Sequence, residues 1–260
     1  MNPSSFNRAI VRPPSRSCVH GLRARDTGAP DFETFCIQHG QYVAALRNQG
    51  LEITELQSLE AFPDAVFVED VALCLPQGLV LLRPGAPRRA GEVEASRNDL
   101  TRVYGDHLHS LQDGHVDGGD IMMTDREIIV GLSSRTDAPG ARALERIISP
   151  WGYRIRCVPT PDGVLHFKSD SSYLGDNVVF CTQRLAATGV FDEYDIIETA
   201  SGEEGAANAL RINDVLLIPA GYPETHRVLS SHGFVVEIID ISEAAKLDGG
   251  LSCMSLRYQM

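Results

Sequence analysis

Near the end of the chain, Leu247-Asp248-Gly249-Gly250-Leu251-Ser252-Cys253-Met254 sets a single thiol just after a double glycine. Paired glycines let the backbone turn sharply or approach a ligand closely. The alternation of Leu251 and Cys253 with Ser252 and Met254 places the cysteine on one face of a strand. An isolated cysteine most often packs as a small hydrophobe; to act as a nucleophile it needs a proton acceptor and groups that hold its electrophile. The chain offers both. Carboxylates interrupt apolar runs at Asp64-Ala65-Val66-Phe67-Val68-Glu69-Asp70 and at Asp117-Gly118-Gly119-Asp120. Leu165-His166-Phe167-Lys168 supplies a histidine, whose ordinary pKa of about 6.5 suits proton transfer at neutral pH. Arginines mark two further loops, Arg83-Pro84-Gly85-Ala86-Pro87-Arg88-Arg89 and Ser133-Ser134-Arg135-Thr136, and a guanidinium fork binds a carboxylate bidentately. A thiol, a histidine, several carboxylates and rim arginines describe a nucleophilic site for a cationic group on a carboxylate-bearing tail, and arginine-like compounds fit both ends.

These residues share a frame. After a first strand at Arg8 to Arg12, a helix pattern with apolar Phe32, Phe35, Val43 and Leu46 ends at Gly50, and a strand runs from Leu51 to Leu56. A hairpin follows, Val66 to Leu75 and Leu79 to Leu82 about Pro76-Gln77-Gly78, then a helix from Gly91 to Tyr104 and a strand near Leu108. The order hairpin, helix, strand recurs from Gly119 to Val158, from Ser171 to Glu198 and from Ala209 to Asp240. A repeat at roughly 40 to 50 residues argues for a ring. The missing hairpin is supplied if the strand at Cys253 pairs with the one at Ile10. Five repeats then surround one channel, and acids at equivalent points of successive repeats face it together. The apolar runs around them predict that those acids lie on the first strands of the hairpins.

Composition narrows the partners. A formal charge of -12 with no basic block argues against nucleic acid and anionic membrane surfaces, since phosphate binding needs clustered Lys and Arg. Six cysteines, at 18, 36, 74, 157, 181 and 253, show no C-x-x-C pair, so they read as reduced thiols of a cytoplasmic protein. Residues 1–15 carry no apolar leader core, and no stretch reaches the roughly 18 apolar residues of a membrane helix. Apolar residues make up 43%, ample for the core of a single domain, read as spanning 1–260.

The motifs Phe62-Pro63-Asp64, Val66-Phe67-Val68-Glu69-Asp70, Gly118-Gly119-Asp120, Gly131-Leu132-Ser133-Ser134-Arg135-Thr136, Leu165-His166-Phe167-Lys168 and Asp248-Gly249-Gly250-Leu251-Ser252-Cys253 together resemble the dimethylarginine dimethylaminohydrolase family of the guanidine-modifying superfamily. The resemblance runs in order from about Arg8 to Tyr258. It implies an α/β fold, a five-bladed propeller with pseudo-five-fold symmetry (the pentein fold), in agreement with the repeat count. It implies hydrolysis of Nω-methylated arginines to citrulline and an amine through a covalent cysteine adduct, with no metal or organic cofactor. It makes Cys253 the nucleophile, His166 the proton shuttle and Asp117 the acidic partner. Glu69 and Asp70 would hold the substrate beside Phe67, with Asp70 on the guanidinium. Asp64 and the carbonyls of Leu22 and Leu247 would receive the α-amino group, and Arg89, in preference to Arg88, would take the α-carboxylate with Arg135. A homodimer is one arrangement the sequence leaves open.

Within the superfamily, arginine deiminases usually place an aspartate two residues after the histidine. Lys168 stands there. One carboxylate fewer leaves room for a methylated nitrogen, which favours methylarginine over arginine. Agmatine, without a carboxylate, would leave both arginines idle. An arginine deiminase-like hydrolase acting on another guanidino compound and a non-catalytic methylarginine-binding protein are the alternatives.

Overall fold

The computed structural model describes residues 4–259, and in it the chain repeats one three-stranded unit five times. β1 (Arg8–Val11) leads through α1 (Phe32–Asn48) to β2 (Glu52–Glu55). The next unit is β3 (Ala72–Leu75), β4 (Gly78–Leu81), α2 (Glu92–Tyr104) and β5 (Leu108–Ser110). It is followed by β6 (Ile121–Met123), β7 (Ile128–Leu132), α3 (Ala138–Ile148) and β8 (Ile155–Pro159). Then come β9 (Ser171–Gly175), β10 (Val178–Cys181), the single turn α4 (Gln183–Ala186) and β11 (Asp195–Glu198). β12 (Leu210–Ile212), β13 (Val215–Pro219), α5 (Pro223–Ser231) and β14 (Val235–Ile239) form the last interior unit. A short helix, α6 (Ser242–Ala245), and β15 (Ser255–Tyr258) end the chain.

In every sheet the middle strand pairs antiparallel on one side and parallel on the other. β15 lies antiparallel to β1, with Leu256 opposite Ile10, and β1 runs parallel to β2. The chain ends therefore complete the fifth blade together, and the fold is the five-bladed α/β propeller. Middle strands are apolar at successive positions because both their faces are covered. On β7, Ile128 and Val130 enter the core shared with β3, β4 and α3, while Ile129 enters the core shared with Phe167, Val179 and Phe191. On β1, Ala9 and Val11 pack with Leu217 and Ile239, and Ile10 packs with Leu79 and Leu81. Strand alternation thus feeds each middle strand into two of the five cores that lie between neighbouring blades.

Local sequence sets the boundaries. The carboxylates of Asp31 and Asp137 accept the N–H groups of Thr34 (2.8 Å) and Gly140 (2.7 Å) and start α1 and α3. Asp176, Asn177 and Asn213 adopt left-handed backbone at the hairpin turns, where short polar side chains tolerate it. Among the described residues, no helix is long and apolar enough to cross a membrane.

One expectation is corrected. The acids and Cys253 are not on the first strands of the hairpins. They lie on or beside single-turn 3-10 helices that lead into those strands, at Val68–Val71, Gly118–Asp120, Phe167–Ser169 and Ser252–Met254, with a fifth turn at Glu204–Ala207. Strand alternation would have sent half of these polar side chains into the apolar cores. A turn before the strand carries them instead to the end of the central channel.

Candidate active site

The turns that carry Glu69 and Asp70, Gly118 to Asp120, Phe167 and Cys253 pack against one another at one end of the propeller. Close approach is possible because two glycines lie between them. A Cβ on Gly119 would lie 2.6 Å from His166 Nδ1, and one on Gly118 would overlap the carbonyl of Glu69. A methyl at either position forces these turns apart. The double glycine before the thiol works the same way, since side chains at Gly249 and Gly250 would strike the Phe67 ring and the Asn208 carboxamide. The sharp turn in this stretch falls one residue earlier, at Asp248, where φ is 57°.

These elements line a cavity in which Cys253, His166, Asp70, Asp64, Phe67, Arg89 and Arg135 meet with Leu22 and Leu247. Cys253 is buried, and its Sγ accepts the Gly250 N–H at 3.4 Å. Burial, followed by the negative charges of Glu69 and Asp70, pushes its pKa up to about 12 against the lowering effect of the Gly250 N–H and Lys168. The thiol is therefore protonated at neutral pH. His166 Nε2–H donates to Asp117 Oδ2 at 3.0 Å, and Asp117 is fully buried. Burial alone would lower the His166 pKa. Asp70, the hydrogen bond to Asp117 and the charge of Asp120 outweigh it and raise the value to about 9, so the ring is an imidazolium at neutral pH.

The second carboxyl oxygen of Asp117 accepts Gly85 N–H at 2.6 Å, and the Asp117 N–H donates to Thr136 Oγ1 at 3.0 Å, which ties the histidine's partner to both arginine loops. Asp120 accepts Phe167 N–H at 2.8 Å and Ser133 Oγ–H at 2.7 Å, and so joins the histidine turn to the Arg135 loop. Asp64 Oδ1 accepts Leu22 N–H at 2.8 Å. Burial raises the Asp64 pKa against the pull of Arg89 and that N–H.

Two predicted ligands are placed differently from the sequence expectation. Glu69 does not line this cavity. Its carboxylate turns to the opposite side, where Oε1 accepts Lys168 Nζ at 2.6 Å and Arg257 Nη2 at 2.8 Å, and Oε2 accepts Ser252 Oγ at 2.9 Å. Lys168 is drawn there with it. Asp70 is left as the carboxylate beside the thiol. Arg89 lines the cavity, but its guanidinium is largely engaged: Nε faces Glu92 at 3.0 Å, Nη2 reaches Glu92 at 2.7 Å and the Phe67 carbonyl at 3.0 Å, and Nη1 is paired with Asp70. Burial disfavours the Asp70 carboxylate, yet Arg89, His166 and the Gly119 N–H outweigh it and hold the pKa below the ordinary range. The Arg135 guanidinium, by contrast, has no hydrogen-bond partner among the described residues. Arg88 points to the surface, onto the His20 carbonyl. Arg257, Asn208, Ser252 and Glu92 escaped the sequence reading, because polar residues in or beside a strand or helix carry no local mark of what they reach across the fold.

Asp70, Asp117 and His166 each bring a ligand atom within 4.8 Å of the other two. A divalent cation would have to displace the His166 proton, which the three carboxylates around it hold strongly.

A family model described as N,N dimethylarginine dimethylhydrolase, eukaryotic, matches residues 32–187. The N(G),N(G)-dimethylarginine dimethylaminohydrolase of Pseudomonas aeruginosa is 38% identical over 254 residues, covering 97% of this chain and 100% of its own. Its counterpart in Streptomyces coelicolor is 31% identical over 253 residues, 97% of each chain. A crystal structure of the Pseudomonas aeruginosa enzyme, a cysteine-to-serine mutant complexed with citrulline, superposes with a TM-score of 0.94 at 37% identity over 98% of this chain and all of its own. The N-terminal domain of a cyanobacterial arginine dihydrolase shares the fold, with a TM-score of 0.84 at 17% identity.

Proposed function

The chain belongs to the dimethylarginine dimethylaminohydrolase family, and from that premise we propose that it hydrolyses Nω-methylated arginines to citrulline and dimethylamine or methylamine, with Cys253 as nucleophile. The observation that carries this reading is the cavity itself, which gathers a neutral thiol, an imidazolium and the carboxylates of Asp70 and Asp64 with Arg135, whose guanidinium has no hydrogen-bond partner among the described residues.

The chemistry follows from charge. A substrate guanidinium is cationic at any working pH and a poor electrophile. Bound against Asp70, it takes the place that Arg89 Nη1 holds in the structure, and it brings a positive charge next to Sγ. That charge offsets the raising effect of Glu69 and Asp70, so the substrate helps ionise the thiol that attacks it; the thiol proton, which the imidazolium cannot accept, leaves to water. Sulfur adds to the guanidinium carbon, and the tetrahedral adduct collapses as the His166 imidazolium protonates the departing amine. A cysteine-bound thiouronium is left. The now neutral imidazole takes a proton from water, the hydroxide adds to the same carbon, and the C–S bond breaks as the new hydroxyl gives its proton to the departing sulfur, which releases citrulline and restores the thiol and the imidazolium. Asp117 holds the ring through both halves. Arg135, joined by the Arg89 Nη1 that the substrate displaces, receives the α-carboxylate, and Asp64 with the carbonyls of Leu22 and Leu247 receives the α-amino group.

The direction of Lys168 and Glu69 supports methylated over unmethylated arginine. With both turned away, one carboxylate grips the guanidinium, and a nitrogen that has lost its donors to methyl groups leaves no acceptor unsatisfied. We further place the protein in the cytoplasm as one catalytic domain spanning 1–260, with a small-molecule substrate, no nucleic-acid or membrane partner, and a homodimer as an admissible assembly. Incubation with asymmetric dimethylarginine, monomethylarginine, arginine and agmatine, in the presence of a chelator, tests the reading by the citrulline formed. Citrulline from the methylated substrates, lost in Cys253→Ser, is the expected result. Citrulline from arginine alone would assign a deiminase, and tight methylarginine binding without turnover would assign a binding protein.

A further inference from the structure

Behind the cavity, Arg257 reaches back from β15 to the turn that carries the thiol. Its Nη1 donates to the carbonyls of Ser252 (2.8 Å) and Ser255 (2.7 Å) and to Ser255 Oγ (2.8 Å), while Nη2 donates to Glu69 Oε1 (2.8 Å). Those two carbonyls bracket Cys253. Glu69 in turn holds Lys168 from the histidine's turn and Ser252 Oγ from the thiol's turn. Asn208, just after the fifth turn, closes the circuit: its Oδ1 accepts Ser252 N–H at 2.9 Å, and its Nδ2 donates to the Lys168 carbonyl at 2.9 Å. The Arg257 side chain is 11% exposed and that of Glu69 7%, so this ring of contacts is screened little by solvent.

We infer that Arg257 is a positioning residue for the nucleophile: by clamping the carbonyls on both sides of Cys253 and pairing with Glu69, it fixes the thiol's turn against the turns of Asp70 and His166. The inference rests on the proposed catalytic role of Cys253. Lysine cannot substitute fully, because one ammonium cannot span the two carbonyls and the carboxylate in the fixed planar fork that a guanidinium offers. The same cluster sets the charge behind the thiol. Glu69 and Asp70 disfavour the thiolate, Lys168 favours it, and Arg257 partly neutralises Glu69; His166 with its partners Asp117 and Asp120, and Arg89, Arg135 and Asp64, are the charged groups on the cavity side.

The test pairs turnover with iodoacetamide alkylation of Cys253 in the intact protein, read by peptide mass spectrometry across pH. R257Q should lower kcat for methylarginine by about thirtyfold to a hundredfold, as expected for a displaced reacting atom, with KM within about threefold. R257K should recover part of that loss. At pH 8, R257Q should slow alkylation about tenfold by strengthening the field of Glu69, and E69Q should speed it about tenfold by removing that field. A turn that had merely loosened would expose the thiol and speed alkylation in both variants. R257Q with kcat within threefold of wild type, or both variants alkylating faster, would overturn the inference. If wild type turned over no methylarginine but the two alkylation shifts appeared with opposite signs, the clamp would stand and the assigned reaction would fall.

Discussion

His166 gives the folded protein a pH dependence that can be worked out in advance. Burial alone would depress its pKa, but Asp70, Asp117 and Asp120 raise it from 6.5 to about 9. A histidine with a raised folded-state pKa stabilises the native state fully below its unfolded value, and that stability is lost as pH climbs towards the folded value. Between pH 6.5 and 8.5 the unfolded chain has released this proton while the native protein still holds it. The slope there is about 1.4 kcal/mol per pH unit, so unfolding at pH 8.5 should cost about 2 to 3 kcal/mol less than at pH 6.5. His166 dominates this window. The buried His39, with its pKa lowered to about 4 by burial, has the opposite sign and acts only as pH falls below 6.5. The thiols of Cys18, Cys74, Cys181 and Cys253, raised by burial to about 11 for Cys18 and about 12 for the others, add a smaller loss of the same sign at the top of the window, as pH nears their ordinary value of 9.0, and that loss persists in His166→Asn.

Urea unfolding followed by circular dichroism at pH 6.5, 7.5 and 8.5, at fixed ionic strength and with reductant, measures the slope. His166→Asn should flatten it. Asp117→Asn should make it shallower, because the ring loses its 3.0 Å partner and one of the charges that raise its pKa. Equal wild-type stability at the two ends of the window would refute the assigned protonation, as would an undiminished slope in His166→Asn. The same measurement bears on mechanism, since an imidazolium in the resting protein is what the departing amine requires.

Two further outcomes follow from the cavity. R135L should raise KM for methylarginine about thirtyfold or more by removing a charge-assisted carboxylate contact, with kcat changed far less, whereas R88A should leave both within about twofold because Arg88 lies on the surface; steady-state citrulline assays separate the two. G119A should destabilise the protein by about 1 to 3 kcal/mol in urea melts and lower kcat at least tenfold, since the added methyl must push the His166 ring away from its present seat.

Much of the ring was legible because the physics that builds it is local. Hairpin turns announced themselves through Asp176-Asn177 and Asn213, the end of the first helix through Gly50, and buried middle strands through unbroken apolar runs. Closure between the strands at Ile10 and Leu256 followed from counting repeats, one hairpin being left over. The turns that carry the chemistry were misread as strand. Val68-Glu69-Asp70-Val71 and Leu251-Ser252-Cys253-Met254 mix apolar and polar residues over too short a span for periodicity to tell a single helical turn from an extended segment.

That misreading explains which site residues were misplaced. On a strand, Glu69 and Asp70 would point to opposite faces of a sheet, and no reading from spacing alone could put both on one substrate. On a 3-10 turn, neighbouring side chains diverge by about 120°, which separates a front from a back at each turn. Asp70 and Cys253 take the front and line the cavity; Glu69 and Ser252, one residue earlier on their turns, take the back and bond to each other at 2.9 Å. Lys168, two residues past the cavity-lining His166, joins them there, and Arg257 comes from the strand behind to complete the set. The two faces do different work. Residues in front need the right chemistry, which sequence displays, whereas residues behind need only the right partner, which is defined by where five separate turns meet.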